Sequence, residues 1–402
     1  HEVTYGSLLE DQRRALHARI VEAIERLSHD RLDEQVERLA RHAFRGGVWQ
    51  KAVGYLRHAG AKAASRWAHR EAVACFEQAL EALQHLPRSR ETIEQAIDLR
   101  FDLRNSLHPL GELGRILDHL REAKALAEPL DEQRRLGWVS SYMTQYFRLM
   151  GDPDRAIESG QRALSIAASL ADFALQVATD THLGPAYRDL GDYPRAVEIL
   201  RRNVESLRGN LTHEPFHLAG LPSVISRTNL VGCLAELGEF AEGIALGEEG
   251  IRIAEAADNP YSLISALLGL GTLYLLKGES PQAIPVLERS LGLCRSWNLP
   301  LLFPAVASSL GSAYALAGRL AEAIPLLEKA VVQAVSMKLM AGHSIFVARL
   351  GEAYLLAGRV DEAIQLAARA LQLSRNQQER GHEAYALHLL GEIGLRRDPL
   401  DR

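Results

Sequence analysis

The chain has 402 residues; 47% are hydrophobic, 6% are aromatic and 24% are charged, and the formal net charge is −5. This apolar content is sufficient for a folded core, which excludes a disordered chain. Without a basic excess, the chain has no general electrostatic attraction for a nucleic-acid backbone. Alanine and leucine dominate the composition and favour helices. We therefore expect a folded, helical protein that does not bind nucleic acid.

The three cysteines, Cys75, Cys233 and Cys294, are far apart and form no CxxC motif. This spacing indicates buried thiols rather than a disulfide framework. Free thiols are typical of proteins in the reducing cytoplasm. No secretory signal opens the chain. The longest apolar run, residues 263–276, is shorter than the ~20 residues that span a membrane. We expect a cytoplasmic protein without membrane contact, and no metal or cofactor.

The first thirty residues contain the pattern HEVxYxxLL at 1–9, then RRxLH at 13–17, and a helical pattern up to Leu27. They resemble the end of the winged-helix segment that follows the nucleotide-binding domain in signal-transducing multidomain ATPases. The runs DNPYSL (258–263) and WNLPL (297–301) are also similar to that group. The resemblance implies a bacterial regulator with a nucleotide cyclase or DNA-binding domain elsewhere. Alternatively, residues 1–31 are only an N-terminal capping helix.

Residues 32–130 predict irregular helix pairs. Helical patterns occur at 32–44, 49–67, 72–83, 92–107 and 113–127, and they end at Gly46-Gly47, Pro87 or Pro129. Glycine and proline in these places are typical helix-stop signals.

Residues 131–395 contain a regular repeat. The pattern LGxxY begins at residues 183, 270, 310 and 350, and a second glycine stands at 151, 191, 238, 278, 318 and 358. These glycines are 40 residues apart, except for one interval of 47. Five residues after each comes a small residue, and then an apolar stripe at helical spacing.

Each repeat predicts two packed helices. The glycine of LGxxY allows the second helix to approach closely, and the tyrosine fills the space beside it. The second glycine ends the first helix in a left-handed conformation. Asp152-Pro153 and Asp192-Tyr193-Pro194 then suit the start of the second helix. Neither helix buries its apolar stripe alone, so the units must stack.

These features resemble the tetratricopeptide repeat (TPR), whose signature is GxxY, a turn glycine and AxxxFxxA. The last element has counterparts at residues 72–79, 323–330 and 363–370. The period of 40 differs from the usual 34 and implies longer helices or links, as in superhelical sensor domains of large bacterial regulators. The predicted fold is an all-α, right-handed superhelical solenoid of TPR-like helix pairs over residues 32–395. Residues 396–402 are interpreted as a truncated tail. Since the chain starts without Met and its final helix lacks a partner, we expect a longer natural protein.

The sequence contains no motif that predicts an enzyme. No GxxxxGK[ST] loop is present, so a Walker-type phosphate site is excluded. The GxG at 269–271 lies in a repeat helix, and Gly342-His343-Ser344 lacks the final glycine of a nucleophile elbow. His213 and His217 have metal-ligand spacing, but Pro215 stands between them and no third ligand is evident.

One interval is seven residues longer than the others because of an insertion around residues 209–222. It predicts a loop between two units. Such loops often project toward the binding face of a solenoid. The alternative is a tolerated surface insertion.

In TPR packing the first helix of each pair lines a concave groove. On that frame, the positions three before, one after and four after the LGxxY glycine predict these groove-binding residues: Ser141, Gln145, Arg148, Thr181, Arg188, Thr228, Ser308 and Ser312. Arg148 and Arg188 are at equivalent positions and could bind an acidic peptide or a carboxylate. Alternatively they are solvated or paired with Asp152 and Asp192. Carboxylate bridges within the solenoid would make the pair structural.

The predicted function is a non-catalytic interaction or sensor scaffold, the TPR-like tail of a multidomain signalling ATPase or cyclase regulator. Its partner is a protein or peptide segment, which includes other domains of the parent chain. The alternative is a sensor domain that binds a small effector in the same groove. An enzyme with an unrecognised site is the third hypothesis, which the lack of any clustered nucleophile, base or metal set disfavours.

Overall fold

The computed structural model describes residues 10–397 and divides the chain into two compact units. Unit 1 comprises residues 1–110 and 114–135, and unit 2 comprises residues 111–113 and 136–402. The HEVxYxxLL pattern and the last five residues of the predicted tail lie outside the described residues. Helix accounts for 84% of the structure, and residues 10–397 contain no strand.

Unit 1 is built from α-helices of 10 to 21 residues, and the first five of them pack against their neighbours in sequence. The α-helices are α1 (Glu10–Leu27), α2 (Val36–Arg45), α3 (Trp49–Ser65), α4 (His69–Gln84), α5 (Arg90–Leu110) and α6 (Leu113–Ala127). The expectation of a helix from residue 32 to 44 is wrong at its start. A 3₁₀ segment, His29–Gln35, precedes α2 and contains non-helical dihedrals at Arg31. A second 3₁₀ turn, Glu128–Leu130, follows α6.

The helices of unit 2 alternate between a first and a second member of each pair. The first helices are α7 (Gln133–Leu149), α9 (Phe173–Asp189), α11 (Pro222–Glu236), α13 (Pro260–Leu276), α15 (Phe303–Leu316), α17 (His343–Leu356) and α19 (Arg380–Arg397). The second helices are α8 (Pro153–Leu170), α10 (Tyr193–Ser206), α12 (Phe240–Ala256), α14 (Ser280–Ser296), α16 (Leu320–Ser336) and α18 (Val360–Asn376). From α9 to α17, each first helix packs on the second helix of its own pair and on the next first helix.

The turn between paired helices has the predicted left-handed glycine. All six turn glycines of the series have φ between 72° and 83°. At Gly278, the glycine N–H donates to the carbonyl of Leu275 (3.1 Å) and the next N–H donates to that of Tyr274 (2.8 Å). These two hydrogen bonds satisfy free carbonyl groups at the end of α13. The prediction that these glycines end the first helix is confirmed.

Small residues allow the paired helices to touch. A Cβ on Gly311 would lie 2.6 Å from Cγ of Leu327, so α15 and α16 pack too closely for any larger residue there. The small residues of the second helices, such as Ala323 and Ala363, are completely buried. Successive pairs are joined by the repeat tyrosines: Tyr314 donates to Glu288 (2.7 Å), and Tyr354 donates to Glu328 (2.6 Å).

The array of unit 2 returns to contact its own beginning. The carbonyl of Leu149, in the α7–α8 turn, accepts from the N–H groups of Met340 (2.9 Å) and Ala341 (3.1 Å). In addition, Gln378 Nε2 donates to Asp154 Oδ2 (3.0 Å). The first pair therefore touches the loops before α17 and α19, and the solenoid of unit 2 completes a superhelical turn around an inner surface. No helix in residues 10–397 combines the length and apolar content that crossing a membrane requires.

Candidate functional site

The inner face of unit 2 is formed by one side of its first helices. We define it as the positions −6, −2, +1 and +5 relative to the LGxxY glycine; on α17 these are Ile345, Arg349, Glu352 and Leu356. Spacings of four and three place them on one side of the helix. Equivalent faces meet from helix to helix, since Tyr385 of α19 donates to Glu352 of α17 (2.5 Å). This face is the surface that the closed array surrounds.

Charged side chains link the first helices in the N-terminal part of this face. Arg148 Nη1 lies 2.9 Å from Asp189 Oδ2, and Arg188 Nη2 lies 3.1 Å from Asp189 Oδ1. Arg188 also donates to Asn229 Oδ1 (2.8 Å). Burial alone would raise the pKa of Asp189, but the two guanidinium groups hold it below its usual range. One carboxylate thus pairs with both arginines.

The interpretation of Arg148 and Arg188 as a pair open to an acidic ligand is therefore wrong. They form carboxylate bridges within the solenoid, which makes them structural. The partner is Asp189 rather than Asp152 or Asp192. Those two residues instead cap α8 and α10, where they accept from the N–H groups three residues later.

Most of the other predicted groove residues are turned toward neighbouring helices. Ser141 and Ser308 are completely buried. Thr181 is bonded to Asn203 of its paired helix (3.0 Å). Thr228 is half-buried, and its Oγ1 has no partner within the described residues. The position three before the glycine therefore lies between helices, and Gln145 and Ser312 are the predicted residues that occupy inner-face positions.

Arg349 is the charged residue that the sequence reasoning missed. It lies in α17 and is 8% exposed. Its Nη1 donates to Ser309 Oγ of α15 (3.0 Å) and approaches Ser308 Oγ (3.5 Å). The alignment used to predict groove residues selected Ala348, one residue earlier, instead. The signal that could have found it is its place 40 residues after Ser309, in a stripe that continues to Leu356.

A row of exposed leucines borders this polar region. Leu276, Leu316 and Leu356 occupy the +5 position of α13, α15 and α17, and their exposed fractions are 40%, 49% and 37%. In the next two helices toward the N-terminus the same position holds Glu236 and Asp189. The inner face is consequently apolar along its C-terminal rim and charged toward the N-terminus.

The inserted loop covers the N-terminal end of the inner face. The loop begins with a 3₁₀ turn, Gly209–His213. Beyond this turn, the carbonyl of His217 accepts a hydrogen bond from the hydroxyl of Tyr142 (3.0 Å). The ring of His217 also packs edge-on against Trp138, with the centroids 5.1 Å apart. Both aromatic residues are inner-face positions of α7. Of the two interpretations of the insertion, the contacts favour the one in which it is directed to the inner face.

One cluster has the composition of a catalytic triad but the wrong geometry. Ser344 donates to Glu379, and His382 Nδ1 lies 3.0 Å from both Ser344 Oγ and Glu379 Oε2. A triad needs the serine and the carboxylate on different ring nitrogens. Glu379 also accepts from the N–H of Gly342 (3.0 Å), so it holds the start of α17. Residues 10–397 contain no group of three or more His, Cys, Asp or Glu side chains placed to bind a metal.

Two family models, both described as tetratricopeptide repeat, match residues 223–296 and 314–387. The chain carries tetratricopeptide repeats. Together with the helix pairs described above, this confirms the predicted fold class, an all-α TPR-like solenoid. A search of curated protein sequences gave no match.

Three solved structures share this fold across most of the chain. A Rap protein complexed with Competence and Sporulation Factor has a TM-score of 0.55 at 13% identity, and the match covers 86% of this chain and 98% of that one. NprR in complex with its cognate peptide NprX has a TM-score of 0.56 at 13% identity, with coverage of 83% and 96%. The apo form of RapI has a TM-score of 0.50 at 15% identity, with coverage of 70% and 98%.

Proposed function

We propose that unit 2 is a non-catalytic scaffold that binds a peptide or an unstructured protein segment along its inner face. The observation that carries this proposal is the row formed by Leu276, Leu316 and Leu356, which leaves an apolar side chain exposed at the same inner-face position of three consecutive first helices. Exposed apolar side chains in a regular row are typical of an interaction site.

The spacing of the row fits an extended chain. Packed helices lie about 8–10 Å apart, so leucines on consecutive first helices repeat at about that distance. A polyproline II segment rises ~3.1 Å per residue and returns to the same side every third residue, or about 9 Å. A segment with an apolar residue at every third position would therefore contact all three leucines. The solved complexes of Rap with Competence and Sporulation Factor and of NprR with its peptide support this choice of ligand.

The cellular setting belongs to the same proposal. The N-terminal pattern and the runs at 258–263 and 297–301 support a sensor or scaffold tail of a bacterial, cytoplasmic, multidomain ATPase or cyclase regulator. In that setting the bound segment comes from a separate protein or from another domain of the parent chain. The second candidate, a small effector, is favoured by the closure of unit 2 at Leu149 and Met340, because this contact encloses the inner face.

Selection from a random peptide library tests the function. Peptides enriched on the immobilised chain are labelled, and their affinity is measured by fluorescence anisotropy for wild type, Leu316→Ser and Val332→Ser. Full burial of a leucine contributes about 1.5–3 kcal/mol, so covering the exposed half of Leu316 contributes about 1 kcal/mol, or roughly fivefold in affinity. Val332, on α16, is 67% exposed and serves as the matched control. We expect only Leu316→Ser to weaken binding; equal affinities for all three proteins would contradict the proposal.

A further inference from the structure

The strongest unexplained group in the molecule is the guanidinium of Arg349. Among the described residues of unit 2, two arginines are more than nine-tenths buried, Arg227 and Arg349. Arg227 has the expected compensation, because its Nη2 lies 3.0 Å from Glu249 Oε1 and its Nη1 donates to the carbonyl of Ser223 (2.8 Å). The guanidinium of Arg349 instead donates to two serine hydroxyls, and among residues 10–397 no carboxylate lies within 4.0 Å of it.

Such an arrangement is costly for the unliganded protein. Removing a cation from water costs several kcal/mol unless an anion and further hydrogen bonds compensate for it. Neutral hydroxyls replace only part of the hydration. Burial accordingly lowers the pKa of Arg349, although Tyr385, Glu352 and Glu236 act in the opposite direction. The structure around Arg349 provides hydrogen-bond acceptors but leaves the charge without a direct partner.

The neighbouring charges do not fill this role. Glu352 stands one turn along α17, but its Oε2 accepts from the hydroxyl of Tyr385 (2.5 Å), and it forms no ion pair with Arg349. Glu236 belongs to α11, three pairs away, and is exposed. Both raise the pKa of Arg349 through space, Glu352 from the same helix and Glu236 from α11, rather than by contact. They therefore leave the guanidinium open to a carboxylate supplied from outside the chain.

We propose that Arg349, with Ser309 beside it, binds a carboxylate of the ligand that occupies the inner face. This inference rests on the proposed function, and it names the chemistry that the ligand must present. The guanidinium offers a planar fork of donors, which matches the two oxygens of a carboxylate. Leu356 is two helical turns away on the same side of α17, so the carboxylate would lie next to the apolar part of the same ligand.

A titration of the whole chain with sodium acetate tests the site without any knowledge of the natural ligand. Arginine Nε–H resonances are followed by NMR in ¹⁵N-arginine-labelled protein, and the peak of Arg349 is assigned by its loss in Arg349→Lys. We expect the Arg349 resonance to shift and saturate with acetate in the millimolar range, whereas that of Arg227 stays in place. Sodium chloride at equal ionic strength should shift neither resonance. An Arg349 resonance that acetate does not move would overturn the inference.

A pair of tripeptides identifies the source of the carboxylate. N-acetyl-Leu-Ser-Leu is compared as the free acid and as the C-terminal amide, for wild type and Arg349→Met. Contacts to a charged group contribute about 1.5–3 kcal/mol, so a peptide source predicts that wild type binds the acid at least about tenfold more tightly. Arg349→Met should abolish this preference. If acetate binds and the two tripeptides behave alike, the carboxylate belongs to a small effector, and the peptide proposal fails while the Arg349 site remains.

Thermal unfolding separates a ligand-binding arginine from a structural one. If Arg349 is kept for a ligand, Arg349→Met removes an uncompensated buried charge, and the melting temperature should be unchanged or higher. Arg227→Met is the matched control and should lower it, because it removes one partner of an existing pair. A clear decrease for Arg349→Met would show that the guanidinium holds the helices together, which would overturn the inference.

Discussion

Asp189 is expected to be the electrostatic centre of the N-terminal part of the array. Replacing it with asparagine keeps the shape of the side chain but removes the charge that holds Arg148 and Arg188. Because the exposed fractions of Arg148 and Asp189 are 18% and 14%, most of this attraction is shielded from water. Arg188 is 31% exposed, and its contact is correspondingly weaker. Loss of one partner of a buried pair costs about 3–5 kcal/mol, so allowing for this partial exposure we expect about 2–3 kcal/mol for Asp189→Asn.

Urea unfolding followed by far-UV circular dichroism measures this change in the free energy of unfolding. Glu242→Gln is the matched control, because Glu242 pairs with Arg201 at 2.8 Å but both side chains are more than 40% exposed. Exposed pairs contribute about 0–1 kcal/mol. If Asp189→Asn destabilises the chain no more than Glu242→Gln does, the assignment of Arg148 and Arg188 as structural is wrong.

The pH dependence of the same comparison follows from the lowered pKa of Asp189. A carboxyl whose folded pKa is depressed stabilises the protein above its unfolded pKa, about 3.9, and loses this contribution as the pH falls through the folded value. The stability difference between wild type and Asp189→Asn should therefore be constant at neutral pH and should shrink below about pH 4. A difference that disappears already near pH 6 would contradict this explanation.

Three further predictions concern the turns, a buried histidine and the absence of catalysis. Gly318→Ala should destabilise the protein by about 1–2 kcal/mol, because Gly318 has a φ of 77°. Gly292→Ala lies in open space within α14 and should stabilise the protein by about 0.5–1 kcal/mol. Denaturant unfolding that gives both changes the same sign would refute the turn argument. Burial lowers the pKa of His69 to about 4, so the folded protein favours its neutral form. In pH-dependent unfolding, the wild-type free energy of unfolding should therefore fall by about 3 kcal/mol between about pH 6.5 and pH 4, relative to that of His69→Phe. Parallel stability curves for the two proteins would contradict this. The purified chain should neither hydrolyse ATP nor cyclise nucleotides, and turnover above that of a mock purification would restore the enzyme hypothesis.

The repeat was predictable from the sequence because its period comes from local requirements. A left-handed turn needs glycine, and two closely packed helices need small residues, so Gly278, Gly318 and Ala323 mark the units directly. The start of α2 was harder to predict from the sequence. Residues 32–35 were assigned to the predicted helix, but they belong to a 3₁₀ segment, His29–Gln35, with a break at Arg31.

The candidate site was predicted only in part, because it depends on contacts between distant repeats. The positions of Arg148 and Arg188 could be aligned, but their shared partner, Asp189, lies on α9. Its contact with Arg148 of α7 becomes visible only when both helices are placed. Arg349 was missed because the groove frame was one residue off. The contact of Leu149 with Met340 depends on the accumulated twist of all the intervening pairs, which no single repeat encodes.

The central claim, that a peptide occupies the inner face of unit 2, is tested most directly by photo-crosslinking. p-Benzoylphenylalanine is introduced at Leu316 on the inner face and, in a separate protein, at Val332 on α16, and each is irradiated with a peptide selected on wild type. Both positions are exposed, so the probe is tolerated at either. We predict a crosslink from position 316 that excess unlabelled peptide suppresses, and none from position 332. A crosslink from position 332 with none from 316 would place the peptide elsewhere and contradict the claim.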